Sequence, residues 1–183
     1  MSATSHLTPT PAPAARLALK TDGVPRGLLD GAWWPRSRDL SAELATLTAV
    51  LDPLWGRITR VAVNPEHWPV IPRKVPVAGH IVKVGWFATE LDPHKLLLLS
   101  YGTGRWDLLV IPPETGAEAA ARLMAAASDR TGPPLTASAL MAADAAASAS
   151  SSRTTKAPVS SATHRRAGDH PRPDAEPLAG LES

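Results

Sequence analysis

Three strand-like runs follow one another between residues 81 and 112, and only three residues separate each run from the next. The runs are IVKVGWFATEL (81–91), KLLLLSY (95–101) and RWDLLVIP (105–112), joined by DPH and GTG. Connections this short join antiparallel neighbours, because a parallel pair needs a crossover of a dozen residues or more. The sequence therefore predicts a C-terminal meander, with the LLLL run in its middle strand covered on both faces.

Shorter strands and a helix precede these runs. ARLALK (15–20), GLLDGAWW (27–34) and GRITRVAV (56–63) are typical of strands, and the second should end at Pro35. Leucines recur between them at the spacing of one helix face: Leu40, Leu44, Leu47 and Leu51. Asp39 is placed to cap this helix, and Pro53 is expected to stop it.

Two alanine-rich segments after the strands, 115–129 and 135–145, are typical of helices. Strands first, one helix inserted and helices last predict an α+β domain. We expect a mostly antiparallel sheet of about five to six strands with a C-terminal meander, and two to three helices packed on one face.

Composition sets the expected ends of the folded unit. Ser, Thr, Pro and Ala dominate the first 14 residues, and the chain from about residue 145 contains no Trp, Phe, Tyr or Ile. Such segments bury too little apolar surface to order themselves. We therefore expect a disordered segment at 1–14, a single α+β domain at 15–147 and a disordered Pro/Ser/charged tail at 148–183.

The absence of cysteine excludes disulfides, a thiol nucleophile and a thiolate metal site. No signal-peptide pattern opens the sequence, and no apolar run approaches the ~20 residues that span a bilayer. His67, His80 and His94 lack the spacing of a helical metal site. We expect a cytoplasmic protein with no membrane partner, metal or cofactor.

Trp33 and Trp34 are adjacent on a predicted strand, so their side chains must point to opposite faces. One should pack beneath the helix at 40–51. The other is either covered by the proline-rich segment 64–80 or free as a stacking platform beside Arg36 and Arg38. The sequence does not fix which tryptophan is buried.

Basic side chains are concentrated between residues 57 and 83, where Glu66 is the only acidic one. The cations are Arg57, Arg60, Arg73, Lys74 and Lys83, and tryptophans are interleaved with them. Cations with aromatic rings are typical of surfaces that bind single-stranded nucleic acid or another anion. The alternative is a solvated basic loop anchored to the sheet by its tryptophans.

From this pattern we predict a non-catalytic module that binds an anionic partner, whether a nucleotide, a nucleic acid or an acidic protein. The predicted binding residues are Trp34, Arg36, Arg38, His67, Trp68, Arg73 and Lys74. Two other classes stay open. A hydrolase would place His67, Glu66 and His80 around one cleft. A dimer module would use exposed tryptophan and an edge strand at 15–20.

Four stretches together resemble one known family: RGLLDGAWWPRSRDL, NPEHWPVIPRKVPVAGHIVKVGWF, DPHKLLLLSYGTGRWDLLVIPPET and LTASALMAA. They are similar to a family of small uncharacterised actinobacterial proteins, known only as a domain of unknown function. The resemblance covers about residues 16–143, so it supports the predicted domain, but it implies no activity, ligand or catalytic residue.

Overall fold

A computed structural model of the chain describes residues 14–20, 27–102 and 104–155. Its strands are β1 (Leu17–Leu19), β2 (Gly31–Trp33), β3 (Ile58–Val63), β4 (Lys74–Val77), β5 (His80–Trp86), β6 (Lys95–Ser100) and β7 (Gly104–Val110). Its helices are α1 (Leu40–Trp55), α2 (Ala117–Ser128) and α3 (Ala137–Thr155), with a 3-10 turn at Pro65–His67. The α+β class is confirmed.

One sheet holds the seven strands in the order β1-β2-β7-β6-β3-β5-β4. β2 is parallel to β7 and β3 is parallel to β5, while the other neighbours are antiparallel. The sheet is therefore mixed, and the prediction of a mostly antiparallel sheet of five to six strands is wrong. The additional strand, β4, lies in the proline-rich segment, where its place at the sheet edge accommodates Pro76.

The predicted C-terminal meander is wrong at its first connection. β6 and β7 do form a hairpin, but β5 lies between β3 and β4, and β3 separates it from β6. The cause is the length of β5, which ends at Trp86 rather than at residue 91. Residues 87–94 then form a connection long enough to cross one strand, which a three-residue turn could not do.

α1 covers one face of the sheet with a fully buried leucine stripe, as its spacing predicts. The carboxylate of Asp39 accepts hydrogen bonds from the backbone N–H groups of Ser41 (3.0 Å) and Ala42 (3.3 Å), which confirms the cap. Pro53 does not stop the helix, which continues to Trp55 and ends at Gly56 (φ 78°). The indole of Trp55 is buried against the sheet, and this burial offsets the cost of proline in the last turn.

α2 and α3 lie on the opposite face, so the expectation that all helices share one face is wrong. They cover the β1-β2-β7 part of the sheet, where Ala32, Leu109 and Ile111 pack against them. The buried cluster on this side includes no residue of β3, β4, β5 or β6. Within the residues described, this half of the face carries no packed helix, and we call it the uncovered face.

α3 continues to Thr155, past the boundary expected at residue 147. The predictions for residues 1–13 and 156–183 lie outside the described residues. None of the described helices combines the length and the apolar character needed to cross a membrane.

Candidate functional site

The tryptophans of the predicted binding surface lie mostly in the core. Trp33 is fully buried beneath α1, and its ring stacks on that of Trp68 with centroids 5.7 Å apart. Trp68 is only 4% exposed, so its ring offers no contact area to a partner. Trp34 points to the opposite face, as alternation requires, and packs against the α2–α3 cluster. The guanidinium of Arg16 covers it, 3.5 Å from the ring centroid, rather than the proline-rich segment.

The arginines of the 33–38 loop have partners inside the protein. Arg38 donates hydrogen bonds to both carboxylate oxygens of Glu114 (2.6 and 3.0 Å) and to the carbonyl of His67 (2.8 Å). The hydrogen bond from Arg38 holds the pKa of the Glu114 carboxyl below its ordinary value. Arg36 donates to the carbonyl of Ala14 (3.1 Å). These contacts join three segments of the chain, and the charge of Arg38 is matched by a carboxylate.

The imidazole of His67 lies against that of His94, with ring centroids 4.5 Å apart. Burial, and then the neighbouring His94, lower the pKa of His67 below its ordinary value, so its neutral form is favoured. The neighbouring Glu66 is exposed. Among the residues that the structure describes, no group of three or more potential metal ligands occurs.

His80 lies near the C-terminal end of α1, whereas His67 lies near its N-terminal end. Nε2 of His80 is 2.7 Å from the carbonyl of Ile58 and 3.7 Å from the carboxylate of Asp52 in the last turns of the helix. His67 is held by Arg38, which directly precedes the N-cap. At 1.5 Å per residue, the length of α1 separates the two histidines by ~20 Å. His67, Glu66 and His80 therefore do not line one cleft.

Three cations of the 57–83 segment form a row on the uncovered face. Lys74 of β4 lies opposite Lys83 of β5, which lies opposite Arg60 of β3. Residues directly opposite share a face, and neighbouring strands are ~4.8 Å apart. All three side chains are exposed, and no carboxylate of the described residues lies within 4.0 Å of them. We call these three residues the cationic row.

An open depression of about 440 Å³ adjoins the cationic row. Its floor is formed by Ala62 and Gly85, which lie opposite each other on β3 and β5. Leu97, Leu99 and Phe87 form its sides, and Phe87 is 49% exposed. We call it the apolar depression. A positive row beside an apolar hollow can hold a partner that carries both negative charge and apolar groups.

The leucines in this depression correct a prediction. Leu96 and Leu98 are fully buried under α1, but Leu97 and Leu99 are only partly buried on the uncovered face. The LLLL run lies in the central strand of the sheet, yet it is not covered on both faces. Strand alternation alone would have placed Arg60 with Ala62 on one face, but only the pairing of β3 with β5 brings Lys83 beside them.

Charge elsewhere on this face is balanced locally. The carboxylate of Asp107 lies 3.1 Å from Lys95 Nζ and 3.2 Å from Arg105 Nε. Arg73 directly precedes Lys74 and therefore points to the face that α1 covers, where its guanidinium lies 5.7 Å from the ring centroid of Trp86. Unpaired positive charge is therefore concentrated at the β3-β5-β4 end.

The description "Family of unknown function (DUF5994)" belongs to a family model that matches residues 16–127. No curated protein and no solved structure matches the chain. The matched span contains all seven strands, α1 and nearly all of α2, but it stops short of the expected limit at residue 143 and excludes α3. The uncovered face lies wholly within it.

Proposed function

The chain belongs to the DUF5994 family, a family of unknown function, and we propose that it is a non-catalytic module that binds an anionic partner through the uncovered face. The cationic row is the observation that carries this proposal. Like charges on adjacent strands repel one another, and this arrangement costs stability in the free protein. Carboxylates or phosphates of a partner relieve the repulsion and gain charge-assisted hydrogen bonds.

The proposal keeps the predicted class of partner and moves the contact surface. Lys74 belongs both to the predicted site and to the cationic row, whereas Arg73, the residue before it, points to the opposite face of the sheet. The other predicted residues have partners within the protein: Trp34, Arg36, Arg38, His67 and Trp68. We also propose a cytoplasmic location, since a chain without cysteine gains no disulfide from an oxidising compartment.

The test measures binding of two labelled polyanions, oligo-uridine and poly-glutamate, by fluorescence anisotropy at low and at physiological salt. We expect binding that weakens with salt. Arg60→Gln/Lys83→Gln should weaken it by about fivefold or more at low salt, as expected from two lost charge contacts. The control, Arg57→Gln/Arg153→Gln, removes the same charge from exposed positions off the row and should have little effect.

Failure of both polyanions to bind at low salt would refute the proposal. Equal losses in the row variant and in the control would show attraction by net charge alone, and would also count against the uncovered face. A third variant, Arg36→Gln/Arg38→Gln, examines the 33–38 loop. A larger loss there than in the row variant would return the binding surface to that loop.

A hydrolase is the second candidate, favoured by the pair of imidazoles of His67 and His94, whose ring centroids lie 4.5 Å apart, and by burial, which lowers the pKa of His67. A neutral imidazole is able to accept a proton near neutral pH. The test is turnover of p-nitrophenyl acetate and p-nitrophenyl phosphate by the full chain. Turnover that His67→Gln abolishes would support this function, whereas equal rates in both proteins would reject it.

A further inference from the structure

Building on the proposed function, we infer that the partner presents an acidic amphipathic α-helix. Its apolar side chains enter the apolar depression, and its carboxylates pair with the cationic row. The partner is thus a protein segment that completes the helical layer on this side of the sheet.

The covered half of the same face shows how a helix is accommodated. Ala32 of β2 is fully buried where α2 packs, and α2 presents Ala120 and Ala127 at this contact. Small side chains let a helix approach the sheet closely. Ala62 and Gly85 are similarly small, and they lie on two strands whose side facing away from α1 is covered by no helix of the described residues.

The backbone conformation at residue 85 does not require glycine. Its φ lies outside the left-handed region that favours glycine, and an added Cβ would meet Phe87 Cε2 at an ordinary 3.6 Å. An added Cβ would therefore fit within the protein, and a larger side chain would extend into the depression. The missing side chain leaves space that an apolar side chain from another molecule can occupy.

The dimensions fit one helix. The four uncovered strands span ~14 Å from first to last, and a helix with its side chains is ~10–12 Å across. Arg60 and Lys83 each lie two residues along their strands from Ala62 and Gly85, a distance of ~7 Å. One helical turn rises ~5.4 Å, so a carboxylate three or four residues from a buried leucine reaches the cationic row.

The apolar groups on this face favour a helix over nucleic acid. Nucleic acid is held by stacking of bases on aromatic rings, but the sides of the depression are two leucines and one ring, that of Phe87. Ile81, also on this face and exposed, is aliphatic as well. Aliphatic side chains are suited to the apolar stripe of an amphipathic helix.

Charge favours a foreign helix over a second copy of the chain. In a two-fold dimer the same patch lies on both sides of the interface. Joining two uncovered faces would bring six unpaired cations together, three from each cationic row. An acidic partner removes this repulsion.

The experiment uses the full chain and two fluorescein-labelled peptides of identical Leu and Glu content. One places leucines at i, i+3, i+4 and i+7, and the other distributes them around the helix. We expect the first to bind about tenfold more tightly, since burying one leucine contributes ~1.5 kcal/mol or more. Its far-UV circular dichroism should show added helix on binding. Oligo-uridine is the third probe.

Gly85→Val fills the depression without changing charge. It should lower the affinity for the amphipathic peptide by about tenfold and leave the affinity for oligo-uridine unchanged. Arg60→Gln/Lys83→Gln should lower the affinity for every acidic probe, whereas Arg57→Gln/Arg153→Gln should leave each affinity unchanged. If the denaturation midpoint of Gly85→Val shows that it is poorly folded, Phe87→Ser replaces it, because Phe87 is half exposed and its removal opens one side of the depression.

Equal affinity for the two peptides, or an unchanged affinity when the depression is filled, would refute the helical partner. The proposal of an anionic partner would still stand. Tighter binding of oligo-uridine than of the amphipathic peptide would point to nucleic acid instead. A dimer in sedimentation that Gly85→Val dissociates would identify a second copy as the occupant. Failure of every acidic probe would overturn both proposals.

Discussion

Asn64 ties together two segments that the sheet order brings to one end. Its side chain is 4% exposed, just beyond the end of β3. Nδ2 donates to the carbonyls of Ala88 (3.0 Å) and Leu91 (2.8 Å), and Oδ1 accepts from the backbone N–H of Glu66 (3.0 Å). These bonds hold the connection through which the chain crosses β3 to begin β6.

Replacing Asn64 with alanine removes all three hydrogen bonds. At ~1 kcal/mol of net stability for each bond, the free energy of unfolding should fall by about 3 kcal/mol. A domain of this size is stable by roughly 5–15 kcal/mol, so the melting temperature should fall by roughly 10 °C. Urea denaturation followed by tryptophan fluorescence measures the change in free energy.

Asn64→Asp is the sharper variant, because it keeps the shape and the acceptor oxygen. At neutral pH its carboxylate cannot donate and faces the carbonyls of Ala88 and Leu91, so the loss should exceed that of Asn64→Ala, at about 3–5 kcal/mol. The folded state would raise the pKa of this carboxyl, so part of the stability returns as the pH falls and the carboxyl is protonated.

Thr46→Val is the matched control, since it removes one half-buried bond to the carbonyl of Glu43 within α1 (2.8 Å). It should cost less than about 1 kcal/mol. If Asn64→Asp were as stable as the native chain, or more stable than Asn64→Ala at neutral pH, the donated bonds would not hold this connection.

Three further predictions concern single positions. Asp39→Ala removes the N-cap of α1 and should lower the free energy of unfolding by about 1 kcal/mol, measured in urea; no change would mean that the cap is dispensable. Gly31→Ala places a Cβ in steric overlap with the carbonyl oxygen of Ala18, so it should lower the free energy of unfolding by about 2 kcal/mol or more, and a fully stable variant would contradict this close approach. The pKa of His67 is lowered in the folded state, so the unfolded chain binds a proton first, and stability should decline as the pH falls below about 6.5 until the folded pKa is passed. In His67→Gln the urea midpoint should fall less steeply with decreasing pH. An unchanged dependence on pH would show that other groups cause the decline.

The features predicted well from sequence are those that neighbouring residues determine. The leucine stripe and the cap of α1 depend on spacing within one helix, and the β6–β7 hairpin depends on one short turn. The pairing partners of β5 depend instead on packing between distant segments, and the residues after Trp86 do not encode it locally. The faces chosen by the helices depend on the same distant packing. β4 escaped prediction because Pro76 suppresses the strand signal, although an edge strand tolerates proline.

The candidate site divides in the same way. The concentration of cations in segment 57–83 is visible in the sequence. Strand alternation also predicts that the side chains of Arg60 and Val61 point to opposite faces of the sheet. The proximity of Lys74, Lys83 and Arg60 could not be predicted, because it depends on the register of three strands. The sequence also assigned Trp68 to the surface, since composition does not distinguish a ring that anchors a loop in the core from one that binds a partner.

The parallel pairing of β2 with β7 has a consequence for the order of folding. The backbone N–H of Asp107 donates to the carboxylate of Asp30, 77 residues earlier in the chain, and the two strands align beside this bond. Closing so long a loop costs entropy before any contact compensates for it, whereas the β4–β5 and β6–β7 hairpins close locally. During synthesis the first two strands have no sheet to join until residues near 110 have left the ribosome, so we expect β1 and β2 to join the sheet last.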